Sequence, residues 1–298
     1  MSPLRIWAMA ARPRTLPAAI SPVLVGSAAA SYATGGEGFE WGNFAAALIG
    51  SIFIQIGTNL ANDYSDAKRG ADSAERLGPV RVTSSGLVAP RRVLVATWVA
   101  FGVAVAAGVY LTAEVGPEIL VVGVASIAAG VLYTGGPRPY GYAGLGELFV
   151  FLFFGLVAVN GSYYVQLEEL DWAPFVLSIG VGFLATAILV VNNLRDIDTD
   201  RRARKNTLAV RLGRPATRHL YAGLVAGAFA SVPLAVLLTD APCWSLIALA
   251  AIPLALKPLG AVRGRTDGPA LNGALAGTGA LLGVFSLLLA SGLLIAAG

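Results

Sequence analysis

The sequence predicts an all-helical membrane bundle of nine transmembrane helices, forming one domain over residues 1–298. Three observations predict it. Hydrophobic residues make up 56% of the chain and charged residues 13%, with a mean hydropathy of +0.71, whereas a soluble domain carries about 25% charged residues. Apolar windows recur near residues 16–34, 42–62, 91–113, 117–134, 144–166, 173–194, 217–239, 243–257 and 270–297, most of them close to the roughly 20 residues that a helix needs to cross a bilayer. All 21 Lys and Arg then fall on one side, in the N-terminal segment or in the loops after spans two, four, six and eight.

The N-terminal segment, Met1 to Arg14, carries Arg5, Arg12 and Arg14. It lacks the short apolar core and small-residue cleavage site of a signal peptide, so it is expected to stay attached, with Arg12-Pro13-Arg14 capping the first span. Glu37 and Glu40 separate spans one and two, and Glu114 and Glu118 separate spans three and four. Glu168, Glu169 and Asp171 precede span six, and Asp240 lies between spans seven and eight. These opposite loops carry only acids, and the positive-inside rule therefore sets the N-terminus and the basic loops in the cytoplasm and the C-terminus outside, in a cell inner membrane. The net charge of +4 is read as this topology signal and not as a nucleic-acid-binding surface. A single cysteine, Cys243, excludes an internal disulfide and, with the lone His219, argues against zinc, haem or iron–sulfur ligation.

Apolar and ionic chemistry meet at two places. Span two ends in Asn59-Leu60-Ala61-Asn62-Asp63-Tyr64-Ser65-Asp66, followed by Lys68, Arg69 and Asp72. At about 100° per residue, Asn59, Asn62, Asp63 and Asp66 fall within roughly a third of the helix circumference. Span six ends in Asn192-Asn193-Leu194-Arg195-Asp196-Ile197-Asp198-Thr199-Asp200. Asn192, Asp196 and Asp200 share one face, and Asp198 points away from it and is expected at the surface. The four spans between return the chain to the same side, so the two stretches are expected to build one site and suggest a weak internal repeat.

Carboxylates crowded against an apolar bundle repel one another unless a cation neutralises them. Magnesium suits oxygen ligands and keeps positions for water and substrate phosphate, which makes Asp63, Asp66, Asp196 and Asp200 the expected metal ligands. Lys68, Arg69, Arg76, Arg81, Arg195, Arg201 and Lys205 cannot ligate a metal but can pair with the remaining phosphate oxygens. A diphosphate at the mouth of an apolar bundle implies a substrate with an ionic head and a hydrocarbon tail, which a prenyl diphosphate satisfies. Metal and cations stabilise the departing diphosphate, and the allylic carbon becomes an electrophile. On span five, Phe149, Phe151, Phe153, Phe154, Tyr163 and Tyr164 are expected to line the tail channel or face the allylic cation, or else to face lipid.

Asn62-Asp63-Tyr64-Ser65-Asp66 and Asp196-Ile197-Asp198-Thr199-Asp200, on nine spans, resemble the two aspartate-rich motifs of the UbiA superfamily of intramembrane prenyltransferases. The closer resemblance is to its menaquinone-synthesising branch. It is carried by Asn59 through Gly86, Tyr133 through Glu147, Asn192 through Gly213, and Ala11 through Leu16. One departure is Gly70, where the wider superfamily often has a further Asp, with Asp72 as the candidate substitute. The resemblance implies magnesium-dependent transfer of a polyprenyl group from polyprenyl diphosphate to 1,4-dihydroxy-2-naphthoate, with loss of diphosphate and carbon dioxide. Departure of carbon dioxide restores aromaticity without a strong base, consistent with a site that holds no histidine.

Within that implied site, Asn59, Asn62, Lys68, Arg69, Asp72, Tyr133, Asn192, Asn193, Arg195 and Lys205 are the expected substrate-binding residues. Arg138, held between Pro137 and Pro139 in a stiff loop, is the expected partner of the acceptor carboxylate. Rival readings are a UbiA-type enzyme for another acceptor, such as 4-hydroxybenzoate or homogentisate, and a secondary transporter. Transporter sites usually lie near the bilayer midplane on broken helices, whereas these carboxylates end helices at one face.

Overall fold

The computed structural model describes residues 1–70, 77, 78 and 80–298, and among them there is no strand. Ten helices follow in order: α1 (Pro3–Ala11), α2 (Pro17–Ala33), α3 (Trp41–Lys68), α4 (Pro90–Glu114), α5 (Glu118–Leu132), α6 (Gly146–Leu167), α7 (Trp172–Arg202), α8 (Leu208–Leu238), α9 (Cys243–Gly264) and α10 (Gly268–Ala297). Local chemistry starts several of them. Asp171 accepts the Ala173 N–H at 2.7 Å and Asp267 accepts that of Ala270 at 3.0 Å, each side chain satisfying one of the unpaired donors of a first turn. Arg265 also donates to Asp267 at 2.7 Å, and these hydrogen bonds hold the exposed Asp267 carboxyl below its usual range. Pro17 and Pro90 open α2 and α4, where a missing N–H costs nothing.

Two helices depart from regular geometry. In α8, Gly213 takes φ 74° and ψ 168°, a conformation that L side chains avoid, and the chain kinks there ahead of Pro215. In α6, residues Phe151–Val157 form a wide π-helical segment that brings Gly155 against Gly182 of α7. A Cβ added to Gly155 would lie 2.6 Å from the Gly182 Cα, so the two backbones meet with no side chain between them, as small-residue contacts allow in membranes.

The bundle is built around α7, which is buried over 72% of its most apolar window, whereas the other long spans are buried over 28–44%. Leu177, Val181, Leu184, Val191 and Leu194 of α7 pack in one cluster with Tyr221 and Val225 of α8 and with Leu282 and Phe285 of α10. Tyr221 shares a 2.8 Å hydrogen bond with Thr278 across the α8–α10 contact, so the phenol is satisfied inside the core. The outer faces expose Val95, Trp98 and Val99 on α4, Val121 and Val124 on α5, and Leu237 and Leu238 on α8. Such continuous apolar faces require lipid around them, and the chain is an integral membrane protein.

The expected count of nine crossings is not confirmed. Seven helices among the described residues are long and apolar enough to cross, and the number is eight if α1 with its following turn and α2, bent by 52°, count as one span. The window at 117–134 is occupied by α5, which has 15 residues. At 1.5 Å per residue it reaches about 22 Å, short of a hydrocarbon core of about 30 Å.

Candidate active site

A cavity of about 360 Å³ runs into the bundle. The ends of α3 and α7, expected from sequence to share one site, both reach its mouth: Asn59, Asn62, Asp66, Asn192, Asn193, Asp196, Asp200 and Lys205 line it. Deeper, the lining turns apolar, with Val23, Ala46, Leu111 and Val165 among its walls. The cavity is therefore polar at one end and greasy beyond it.

Asp66 is the hub of the mouth. Its Oδ1 accepts the Tyr142 hydroxyl at 2.6 Å, and its Oδ2 lies 3.2 Å from the Arg81 guanidinium and 3.2 Å from Lys205 Nζ. Lys205 Nζ also sits 4.8 Å from the Tyr142 ring centroid. These partners come from three separate connections, after α3, between α5 and α6, and after α7. The loop from Tyr140 to Ala143 is held in place by Asn206, whose N–H donates to the Tyr142 carbonyl at 3.0 Å. Burial of Tyr140 pushes its hydroxyl above the ordinary tyrosine range, and as a phenol it donates to the Ala129 carbonyl at 2.9 Å.

Asp63 is placed apart from the other expected metal ligands. It is not among the residues that line the cavity, and its two oxygens accept the backbone N–H groups of Val82 and Thr83, each at 3.0 Å. The reason is rotation along the helix: one residue beyond Asn62 is about 100° further round, enough to face the loop instead of the cavity. Asn59 points Nδ2 to the Ala11 carbonyl at 3.0 Å and to Thr15 Oγ1 at 3.2 Å, tying α3 to the N-terminal segment. Asn62 accepts the Thr134 hydroxyl at 2.8 Å.

Arg195 is a second departure. Expected to reach phosphate, it is instead fully buried and spends its donors within the protein. Nε and NH2 grip both oxygens of Asp196 at 2.8 and 2.6 Å, NH2 also reaches Asn192 Oδ1 at 2.8 Å, and NH1 reaches Asn272 Oδ1 at 2.7 Å. Asn272 donates in turn to the Leu77 carbonyl at 2.9 Å. A fork clamped to a carboxylate in this way orients it and neutralises it.

The outlying charges sort by exposure. Asp198 is at the surface, as its helical angle predicts, and pairs with Arg214 at 2.7 Å. Lys68, Arg69, Arg138 and Arg201 are exposed and do not line the cavity; Arg69 donates to the Gly136 carbonyl and lies 5.9 Å from the Tyr142 ring centroid. The expectation that Arg138 binds the acceptor carboxylate therefore lacks a side chain at the cavity. Asp72 and Arg76 lie outside the described residues.

The aromatic wall is partly as expected. Tyr133, Tyr140, Phe149, Phe153 and Phe154 line the cavity, with Tyr140 stacked on Phe149 at 4.1 Å and Phe149 on Phe153 at 6.1 Å. Phe151, Tyr163 and Tyr164 are not among the lining residues; Phe151 packs on Phe183 at 5.2 Å. Sequence reasoning missed Tyr142, Tyr140 and Asn272, which sit outside both aspartate stretches, and of these only the Gly- and Pro-rich loop containing the tyrosines carried a signal.

Among the described residues no three acidic, histidine or cysteine side chains close in as a preformed metal-holding group. The donor set does fit a magnesium ion that arrives with a phosphate ligand: ionised carboxylates offer about four lone-pair sites each, and such magnesium needs only one or two of them with water and phosphate oxygens.

The family model for UbiA prenyltransferases matches residues 19–271. The chain belongs to the UbiA prenyltransferase family. It is 46% identical to the 1,4-dihydroxy-2-naphthoate octaprenyltransferase of Mycobacterium tuberculosis over 92% of this chain and 91% of that one. It is 39% identical to the protein of the same name from Escherichia coli over 86% and 84% of the two chains. A UbiA homologue from Archaeoglobus fulgidus, whose structure was solved with GPP and Mg2+ bound, superposes with a TM-score of 0.68 over 97% of this chain and 99% of that one at 15% identity. At that identity the likeness speaks for the fold: the prenyltransferase bundle is common to both.

Proposed function

We propose that this UbiA-family prenyltransferase transfers a polyprenyl group from polyprenyl diphosphate to 1,4-dihydroxy-2-naphthoate in menaquinone biosynthesis, at the cytoplasmic face of the plasma membrane. The observation that carries this reading is the cavity with Asp66, Arg81, Asp196, Asp200 and Lys205 at a polar mouth and an apolar interior. Relatives at 46% and 39% identity named for this acceptor favour the naphthoate.

Lys205 and Arg81 bind the diphosphate, and the apolar wall sheds water from the tail and the reacting carbon. Asp66, Asp196 and Asp200 would hold magnesium together with the diphosphate, and the chemistry it would supply there is neutralisation of the charge that builds on the leaving group. The allylic C–O bond breaks with its electron pair going to the diphosphate oxygen. The carboxylate-bearing ring carbon of the acceptor supplies the pair for the new C–C bond. Carbon dioxide then departs and leaves its bonding pair to restore the aromatic ring, so no base has to remove a ring proton. Tyr140 and Phe149 offer π-faces beside the reacting region, suited to a transient allylic cation.

The test is an assay of membranes containing the full chain with magnesium, the naphthoate and allylic diphosphates of several lengths, read by product mass. Prenylated naphthalenediol with loss of carbon dioxide is the expected product. Prenylation of 4-hydroxybenzoate but not of the naphthoate overturns the acceptor, and absence of any prenylated product overturns the reading.

A further inference from the structure

Glu147 lies one residue into α6, in a helix otherwise made of apolar residues and glycines up to Asn160. Its side chain is 6% exposed. Oε1 accepts Asn193 Nδ2 at 2.9 Å, and Oε2 has no hydrogen-bond partner among the described residues. A carboxyl group buried in an apolar helix with one oxygen unpaired is costly, and such residues persist where they serve the site. Glu147 does not itself line the cavity, whereas Asn193 does.

A carboxamide has one donating end and one accepting end. With Nδ2 turned to Glu147, the Asn193 Oδ1 is left as the acceptor of an amide that belongs to the cavity lining. An aromatic wall lines the same cavity: Tyr133 packs edge-on to Tyr140 at 5.4 Å, and a Cβ added to Gly146, the neighbour of Glu147, would lie 3.1 Å from the Tyr133 ring. Flat rings and a fixed carboxamide in the lining of one cavity suit a planar aromatic ligand that carries a hydroxyl.

We propose that Glu147 is a positioning residue for acceptor recognition, holding the Asn193 carboxamide so that Oδ1 accepts a hydrogen bond from a ring hydroxyl of the acceptor. The inference rests on the naphthoate reading above. In 1,4-dihydroxy-2-naphthoate the 1-hydroxyl is beside the carboxylate and bonds to it internally, so the 4-hydroxyl is the donor free to meet Asn193. The 1-hydroxyl also feeds electrons to the adjacent attacked carbon. A compound without the 4-hydroxyl therefore keeps its reacting part and loses only the handle.

The experiment compares kcat/KM for 1,4-dihydroxy-2-naphthoate and 1-hydroxy-2-naphthoate at saturating prenyl diphosphate and magnesium, using the full chain in lipid membranes. The wild-type protein should prefer the dihydroxy acceptor by about tenfold, the worth of one well-made hydrogen bond. Glu147→Leu should collapse the preference to about twofold, chiefly through KM, because the amide loses its anchor. Glu147→Gln should keep the preference, since its Oε1 can still accept Asn193 Nδ2. Asn193→Leu should collapse it as Glu147→Leu does, and supplies the same reading if Glu147→Leu fails to accumulate. Equal losses for both acceptors in the Leu variants would overturn the positioning role in favour of a packing role. Loss of the preference in Glu147→Gln would overturn it in favour of a proton transfer by the carboxyl group. If the wild-type protein prenylates neither naphthoate, the acceptor reading itself falls and takes this inference with it.

Discussion

Lys205 Nζ and Asp66 Oδ2 lie 3.2 Å apart in a buried ion pair, which joins the residue after the second aspartate stretch to the last carboxylate of the first. The pair leaves Lys205 at the cavity mouth, where a third contact is available to it. Replacing Lys205 with Ala should raise the KM for prenyl diphosphate by about ten- to a hundredfold, the loss of one charge-assisted contact of roughly 1.5–3 kcal/mol. The KM for the naphthoate should stay within about twofold. Steady-state kinetics with each substrate varied in turn checks this, and a rise confined to the naphthoate would move Lys205 to the acceptor.

Asp63 and Asp66 should separate in a magnesium titration. Asp63→Asn turns an amide N–H toward the donors of Val82 or Thr83, an unmatched pairing that costs about 1–3 kcal/mol, so its thermal midpoint should fall. The magnesium concentration for half-maximal activity should not change. For Asp66→Asn and Asp200→Asn that concentration should rise severalfold. A comparable rise in Asp63→Asn would return Asp63 to the metal-binding set.

Exposed charges should matter little. The Asp198–Arg214 pair is exposed to 65% on the aspartate side and is worth about 0.2–1 kcal/mol, and Arg138→Ala removes a surface cation away from the cavity. Both Asp198→Ala and Arg138→Ala should hold kcat/KM within about twofold. Asp196→Ala, by contrast, leaves the Arg195 guanidinium buried without its carboxylate, a loss of about 3–5 kcal/mol that a melting curve in detergent will show.

The contact between α6 and α7 leaves no room for a methyl group. Gly155→Ala should lower the melting temperature by several degrees, because the new Cβ meets the Gly182 backbone at 2.6 Å and overpacking of this kind costs about 1–3 kcal/mol. Gly223→Ala is the control, since a Cβ at Gly223 meets nothing within 4 Å. Equal melting curves for the two would mean that the α6–α7 contact relaxes freely.

The helices were legible because long apolar runs admit few other structures in a membrane, and the meeting of the two aspartate stretches followed from the parity of the spans between them. The outward position of Asp198 was legible too, since its angle on the helix depends only on spacing. Spacing fails where one helix end faces two environments. Asn62 and Asp66 look into the cavity while Asp63, grouped with them by angle, turns to the Val82–Thr83 backbone, and only the folded loop decides between them. The inward placement of Arg195 was hidden for a related cause: its partners Asn192 and Asp196 are local, but Asn272, which completes its burial, is supplied from α10. The count of nine is left unconfirmed at α5, because an apolar window does not reveal where its helix stops and this one has 15 residues.

The bond between Asn272 and Arg195 also sets a time at which the protein can begin to work. Asn272 lies near the start of α10, the last helix, and its two hydrogen bonds, to Arg195 and to the Leu77 carbonyl, add a link between the second aspartate stretch and the chain following the first. Translation proceeds from the N-terminus, and earlier segments collapse first. Through most of synthesis the guanidinium of Arg195 is therefore without its outer partner, and one of the links between the two halves of the mouth does not yet exist. A nascent chain released before α10 carries every aspartate of both motifs and still lacks the clasp, so a ribosome that stalls late leaves an inserted but unfinished catalyst in the bilayer.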